Sequence, residues 1–181
     1  ICGGVHPTLA PKEILNAKGL DYFVRGEGEL AFTEFLRRIE TGEDYFDSPN
    51  LCFEKEGKLV KNELLPLVSN LDELPIPNKT TYPYYESSIL RTKTAPFFFT
   101  RGCPFTCTYC FNQYWAQIYG RSRNYPRFRS AEICIQEIEQ VVSKYHKEIE
   151  YLFLGDDIFG ANGKWRKEFC EKYHERILKK Y

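Results

Sequence analysis

Three cysteines, Cys103, Cys107 and Cys110, lie within eight residues in the spacing C-x3-C-x2-C. Thiolates this close together favour a soft metal centre or an iron–sulfur cluster. A closed zinc site or a four-cysteine cluster needs a further ligand nearby, and neither Cys nor His occurs between Cys110 and Cys134. If these thiolates bind an iron–sulfur cluster, three ligands would leave one iron open to a small molecule. An open iron indicates a catalytic site rather than a structural one. A zinc knuckle and an incidental group of cysteines are the alternatives.

The segments around this loop read as one βαβ unit. The apolar stretch Pro96–Phe99 precedes the cysteines, a helix is predicted from Ser130, its N-cap, to about Lys147, and Ile149–Leu154 has the length of a strand. That strand ends in Gly155-Asp156-Asp157. The carboxyl end of a strand is where such folds place functional side chains, and the alternative is that Asp157 merely begins a turn.

The first third of the chain alternates strands with helices, which predicts a parallel, doubly wound sheet. Ile1–Leu9 reads as the end of a buried strand and a glycine turn, and a helix is expected from about Pro11 to Gly19. Leu20–Val24 is predicted to be a strand. The helix behind it should end at Gly42 and bury one apolar face, made of Phe32, Phe35, Leu36 and Ile39.

Two further segments connect these halves. Asn50–Asn62 alternates around Glu56-Gly57 and predicts a hairpin. Leu71–Asn78 contains two prolines and little to pack, so it predicts an extended linker. The nearby tyrosines Tyr82, Tyr84 and Tyr85 are expected to pack between domains or to line a substrate cleft.

Composition narrows the class of protein. Lys plus Arg equals Asp plus Glu at 25 each, so the chain shows no overall charge that favours nucleic acid or a membrane surface. The local basic loop from Gly120 to Arg129 would either be solvated or place Arg127 or Arg129 against an acidic group. The other four cysteines, Cys2, Cys52, Cys134 and Cys170, are scattered, and the total of seven is odd. Without a signal peptide or a long apolar span, this usage favours a reducing cytoplasm, and Cys134 and Cys170 are expected to be core thiols.

The run Thr100–Asn112 resembles the signature of the radical S-adenosylmethionine enzymes, including the aromatic Tyr109 before the last cysteine. The resemblance implies that Cys103, Cys107 and Cys110 hold a [4Fe–4S] cluster whose fourth iron is chelated by S-adenosylmethionine, and that Tyr109 lies against the adenine. It further implies that Asp156 or Asp157 accepts hydrogen bonds from the cofactor's amino group. The chain departs from the commoner Gly-Gly-Glu at that strand end.

Two glycine-containing segments resemble the end of the cobalamin-binding domain that precedes many radical S-adenosylmethionine cores. They are Gly3-Gly4-Val-His-Pro-Thr and, further along the chain, Arg25-Gly26-Glu27-Gly28. The resemblance implies cobalamin contacts at Gly3, Gly4, Arg25, Gly26 and Glu27. A glycine pair after a strand is also common in any doubly wound fold. His6 is interpreted as a turn histidine rather than a cobalt ligand, because the cobalt-binding signature of the family would lie upstream of Ile1.

The fold class expected is α/β: the C-terminal part of a doubly wound cobalamin-binding domain with the hairpin (residues 1–68), a Pro-rich linker (69–93), and the first βα repeats of a partial TIM-type radical S-adenosylmethionine barrel (94–181). A chain with no Met that ends inside an amphipathic pattern is expected to be a segment of a longer enzyme, inactive and poorly soluble by itself.

The function expected is reductive cleavage of S-adenosylmethionine to a 5′-deoxyadenosyl radical, with cobalamin-dependent methyl transfer to a small-molecule substrate. The resemblance implies an external electron donor such as flavodoxin or ferredoxin. Alternatives are a radical cyclase or oxidoreductase without methyl transfer, and a non-catalytic iron–sulfur electron carrier.

Overall fold

A computed structural model describes residues 1–15, 17–120 and 126–181. Asn16, residues 121–125 of the basic loop and the side chain of Tyr84 lie outside the described residues. The strands, in chain order, are β1 (Tyr22–Val24), β2 (Leu51–Lys55), β3 (Lys58–Lys61), β4 (Thr94–Phe97), β5 (Thr100–Arg101), β6 (Arg127–Phe128) and β7 (Tyr151–Leu154). The helices are α1 (Val5–Leu9), α2 (Pro11–Leu15), α3 (Glu29–Thr41), α4 (Pro83–Thr92), α5 (Phe111–Tyr119), α6 (Ala131–Tyr145) and α7 (Gly163–Tyr173), the last continued by a π-helical turn (His174–Leu178).

The chain forms two compact units. Unit 1 contains residues 1–68 and 105–121, and unit 2 contains residues 69–104 and 122–181. Among the described residues, no helix is long and apolar enough to cross a membrane.

The sheet of unit 1 is antiparallel in the order β1-β2-β3. The predicted hairpin is confirmed, with Glu56 and Gly57 both at positive φ, as a two-residue loop requires. The parallel pairing predicted for the first third of the chain is present as a bridge between Cys2 and Phe23 of β1. The antiparallel pairing of β2 with β1 was not predicted, because the hairpin carries no local signal for a third partner strand.

Two helical predictions for unit 1 need correction. Residues of the expected glycine turn form α1, so His6 is helical, and its Nε2 lies 3.2 Å from Glu13 Oε2. Helix α3 ends at Gly42 in the left-handed conformation, as predicted, but its apolar face is largely uncovered. Phe35 is buried, whereas the side chains of Phe32, Leu36 and Ile39 are exposed.

Unit 2 contains the predicted βαβ arrangement. Strands β4 and β7 pair in parallel, from Thr94 opposite Tyr151 to Phe97 opposite Leu154. Ser130 caps α6 by accepting a hydrogen bond from Ile133 N, as predicted. The core of unit 2 packs α6 and α7 against one face of β4, whose Ala95 and Phe97 are fully buried.

The predicted linker is more structured than expected. Leu71 and Leu74 are buried around a 3₁₀ turn, and residues 83–92 form α4, with Pro83 at the first helical position. Tyr85 is buried and donates to the Pro96 carbonyl, whereas Tyr82 is exposed. Lys79 lies over the Phe97 ring, and its Nζ pairs with the buried Glu137 carboxylate at 2.8 Å. Burial of Lys79 lowers the pKa of its ammonium group.

Candidate cofactor-binding site

The three clustered cysteines are free thiols on the loop after β5. Cys107 is exposed, and Cys103 and Cys110 are partly buried. Cys110 N donates to Cys107 O at 3.1 Å, which turns the chain immediately before α5. Cys103 belongs to unit 2, whereas Cys107 and Cys110 belong to unit 1.

Within the described ranges, no three His, Cys, Asp or Glu side chains form a group that would hold a single metal ion. A four-iron cluster is larger than one ion, and its donor set of soft, accessible thiols is present on this loop. The assignment of the three cysteines as ligands therefore stays a prediction.

Aromatic side chains on this loop point away from the core. Tyr109 is 91% exposed and Phe105 is 60% exposed. Apolar rings at such exposure contribute little to packing, which suits a surface that a planar ligand would cover. The contact of Tyr109 with adenine stays a prediction.

Asp156 is bonded to the backbone that leads into the cysteine loop. Its Oδ1 accepts from Phe99 N (2.7 Å), Thr100 N (2.5 Å) and Thr100 Oγ1 (2.9 Å), which joins the end of β7 to the start of β5. Its Oδ2 is buried and meets no hydrogen-bond donor among the described residues. A buried carboxylate oxygen without a donor is costly, so this atom is a suitable acceptor for an incoming N–H group.

The neighbouring positions differ from Asp156 in their surroundings. Asp157 is exposed. Gly155 has no room for a side chain, because a Cβ there would lie 2.5 Å from the Phe98 ring and 2.8 Å from the Phe153 ring. Both rings are more than half exposed, so the carboxyl ends of β4 and β7 present an apolar surface beside Asp156.

The predicted cobalamin contacts of unit 1 fall into two groups. Gly3 and Gly4 are exposed, and Gly4 has φ +102° with open space around its Cα, so a ligand can approach this backbone. Gly26 is buried, and its missing Cβ leaves room for the hydroxyl of Tyr119. The Glu27 carboxylate accepts from Val68 N at 3.0 Å.

Several residues outside the loop have structural roles. Arg129 is buried and donates to the carbonyls of Leu74 and Pro75, and Arg127 is also buried, so the solvated-loop interpretation is wrong for these two residues. Cys134 is a core thiol as predicted, and burial raises its pKa. Cys170 is exposed, so its prediction as a core residue is wrong; it lies on the solvent side of α7.

Sequence reasoning missed Thr100 and Tyr119. Thr100 follows an apolar run, where a threonine is ordinary, and its link to Asp156 spans 56 residues. Tyr119 meets the Gly26-Glu27 turn 92 residues earlier in the chain. No local pattern in the sequence indicates such distant partners.

The fold of the chain is that of a segment of cobalamin-dependent radical S-adenosylmethionine enzymes. It superposes on the radical enzyme OxsB, solved with aqua-cobalamin, with a TM-score of 0.72 at 18% identity, over 97% of this chain and 24% of OxsB. The methyltransferase TsrM from Kitasatospora setae gives the same TM-score, 0.72, at 17% identity, over 98% of this chain and 33% of TsrM. TsrM has also been solved with cobalamin and a [4Fe–4S] cluster bound.

The chain also has relatives in sequence. An uncharacterized methyltransferase of Pyrococcus horikoshii is 31% identical over 171 residues, covering 91% of this chain and 34% of the relative. The anaerobic magnesium-protoporphyrin IX monomethyl ester cyclase of Rubrivivax gelatinosus is 28% identical, covering 98% of this chain and 32% of the relative. The resemblance identified from the sequence is thus confirmed, and the chain spans about a third of the length of these relatives. No protein-family model matches it.

Proposed function

We propose that this chain is part of a radical S-adenosylmethionine enzyme, in which Cys103, Cys107 and Cys110 bind a [4Fe–4S] cluster and Asp156 binds the amino group of S-adenosylmethionine. The observation that carries the proposal is a three-thiol loop that lies in the chain between the parallel strands β4 and β7. At the carboxyl end of β7, the buried Oδ2 of Asp156 meets no donor among the described residues. When bound, the cluster supplies the electron that cleaves S-adenosylmethionine to methionine and a 5′-deoxyadenosyl radical.

The chain's own residues bind and orient in this proposal. Asp156 uses Oδ1 to hold the backbone before the cysteine loop, and Oδ2 accepts an N–H from the cofactor's ammonium group. A charge-assisted hydrogen bond of this kind fixes the direction of the amino acid part of the cofactor. The exposed ring of Tyr109 covers the adenine.

We further propose that the enzyme binds cobalamin, with Gly3 and Gly4 as backbone contacts, and transfers a methyl group to a small-molecule substrate. The open, exposed backbone at Gly4 supports the contact, and the methyltransferases among the relatives and structural neighbours support the reaction. The similarity to a cyclase favours, as the second candidate, a radical cyclisation without methyl transfer.

The cluster assignment is tested by anaerobic reconstitution with iron and sulfide. The structure supplies a matched pair of variants, because Cys107 and Cys170 are both exposed. Cys107→Ala should lose most of the bound iron, whereas Cys170→Ala should retain it, as measured by iron and sulfide content per chain. Equal iron in the two variants would contradict the ligand assignment.

A second measurement on the same samples separates an enzyme from an electron carrier. S-adenosylmethionine should change the electron paramagnetic resonance spectrum of the reduced cluster, because an open iron accepts a new ligand. A cluster with four protein ligands would give the same spectrum with and without S-adenosylmethionine.

A further inference from the structure

We propose that the turn from Arg25 to Gly28 positions the segment carrying Cys107 and Cys110, through a contact with Tyr119 at the far end of α5. This inference rests on the proposed function, because it takes those two cysteines as cluster ligands. It assigns Gly26 and Tyr119 as positioning residues.

The contact is close and specific. The Tyr119 hydroxyl accepts a hydrogen bond from Glu27 N at 3.0 Å. Gly26 is buried with φ +80°, and a Cβ at this position would overlap the Tyr119 hydroxyl and lie 2.8 Å from its Cζ. Glycine at position 26 therefore makes room for the tyrosine as well as allowing the left-handed backbone.

The turn is held by several other segments of unit 1, so it is a rigid attachment point. Gly26 N donates to Thr8 Oγ1 at 2.9 Å, and Arg25 N donates to Asn50 O at 2.9 Å. The Asn50 side-chain amide donates to Glu27 O at 2.9 Å, and Val68 N donates to the Glu27 carboxylate. Partners from three places in the sequence, Thr8, Asn50 and Val68, leave this turn little freedom.

Helix α5 links the attachment point to the cysteines. It begins at Phe111, directly after Cys110, and ends at Tyr119. A helix of nine residues is about 13 Å long and moves as a rod, so fixing Tyr119 restricts where Cys110 lies. A helix this short is marginal without tertiary contacts, and α5 buries Asn112 and Ala116 in addition to its contact at Tyr119. Residues 104–109 are exposed, so little side-chain packing holds the loop itself.

Two substitutions test the contact, and their combination tests whether Gly26→Ala acts through the overlap with the Tyr119 hydroxyl. Tyr119→Phe removes the acceptor for Glu27 N, and Gly26→Ala introduces the overlap with the hydroxyl. In the reconstituted chain, Tyr119→Phe should accelerate iron release to a chelator about fivefold, the factor expected for one hydrogen bond. Gly26→Ala should accelerate it by at least as much, because the added Cβ displaces the hydroxyl from Glu27 N. The double variant Gly26→Ala/Tyr119→Phe should release iron more slowly than Gly26→Ala alone, because the overlapping hydroxyl has been removed.

Matched controls separate positioning from general destabilisation. Gly42→Ala introduces a Cβ at the same kind of positive φ, 72°, with nothing within 4 Å. Tyr114→Phe removes a hydroxyl from the exposed side of α5. Both controls should release iron at the wild-type rate, even where the thermal midpoint of unfolding falls.

The outcomes distinguish this inference from the proposed function. If the wild-type chain takes up no iron, or Cys107→Ala retains it, the proposed function fails. If the wild type loads its cluster but Tyr119→Phe releases iron no faster than Tyr114→Phe, the positioning role is overturned. A double variant that releases iron as fast as Gly26→Ala, or faster, would overturn the assignment of Gly26.

Discussion

At the scale of single residues, Asp156 connects stability with the proposed cofactor contact. Its two carboxylate oxygens have different environments, since Oδ1 accepts three hydrogen bonds while Oδ2 is buried without a donor among the described residues. The bonds to Phe99 N and Thr100 N hold the backbone just before the cysteine loop, because Thr100 lies three residues before Cys103.

Two substitutions of Asp156 should therefore have different effects. Asp156→Ala leaves two backbone donors without their charged acceptor and should lower the free energy of unfolding by about 2–3 kcal/mol. Asp156→Asn keeps an oxygen acceptor for these donors and should cost less than about 1 kcal/mol. Both should weaken S-adenosylmethionine binding about ten- to a hundredfold, because both remove the negative charge that faces the ammonium.

Urea denaturation and equilibrium binding measure the two effects separately. Asp157→Ala is the control, because Asp157 is the adjacent carboxylate and is exposed. Should Asp157→Ala weaken binding while Asp156→Asn binds as wild type, the role would pass to Asp157.

At the scale of elements, α6 and the end of α7 are joined by charged side chains. Glu132 on α6 accepts from Lys172 Nζ at 2.8 Å and from Arg176 at 2.6 Å, and Arg176 also bonds Glu139. The hydrogen bonds from Lys172 and Arg176 lower the pKa of Glu132 to about 2, from its ordinary value near 4.5. The folded protein thus binds a proton at Glu132 less readily than the unfolded chain does.

The sign of the pH dependence follows from this lowered pKa. Glu132 stabilises the fold above about pH 4.5, and the contribution is lost as the pH falls from there towards 2. Glu132→Gln should be less stable than wild type at pH 7 and equally stable near pH 2. Because Glu132 is 41% exposed, solvent screens the pair and the difference at pH 7 should be about 1 kcal/mol or less.

Urea titrations at several pH values measure this difference. Glu171→Gln on α7 is a suitable control, because its ion pair with Lys167 is exposed and 3.9 Å long. A constant gap between Glu132→Gln and wild type from pH 7 to pH 2 would show that the lowered pKa is not the cause.

At the scale of the whole molecule, the two units contain different parts of the proposed cofactor sites. Gly3 and Gly4 belong to unit 1, and Asp156 belongs to unit 2. The assignments predict that cobalamin binding and cluster binding respond to different substitutions.

A titration with hydroxocobalamin, followed by visible absorbance, tests this separation. Gly4→Val should weaken cobalamin binding at least tenfold by placing a side chain where the ligand approaches the backbone, and it should leave iron content unchanged. Cys107→Ala should lower the iron content and leave cobalamin binding unchanged. Gly19→Val is the control, because Gly19 also has a positive φ, 81°, and open surroundings. Equal losses of cobalamin binding in the Gly4 and Gly19 variants would contradict the contact at Gly4.

The sequence by itself determined the features that depend on neighbouring residues. Ser130 caps α6, Gly42 ends α3, and Glu56-Gly57 turns the hairpin, because each signal acts over a few bonds. The spacing of the three cysteines and the acidic end of β7 were also readable, since they are chemical patterns along the chain.

Only the tertiary structure decided which helix faces are buried and which polar atoms form long-range hydrogen bonds. Periodicity marked four apolar residues on α3, but Phe35 alone among them is buried, because burial depends on what packs against a helix. The sequence left Arg129 either solvated or placed against an acidic group, whereas the structure buries it and its guanidinium donates to the Leu74 and Pro75 carbonyls some 55 residues away. The contacts of Asp156 with Thr100 and of Tyr119 with Glu27 are likewise long-range, and a side chain's distant partners are set by how the elements pack, which local sequence does not encode.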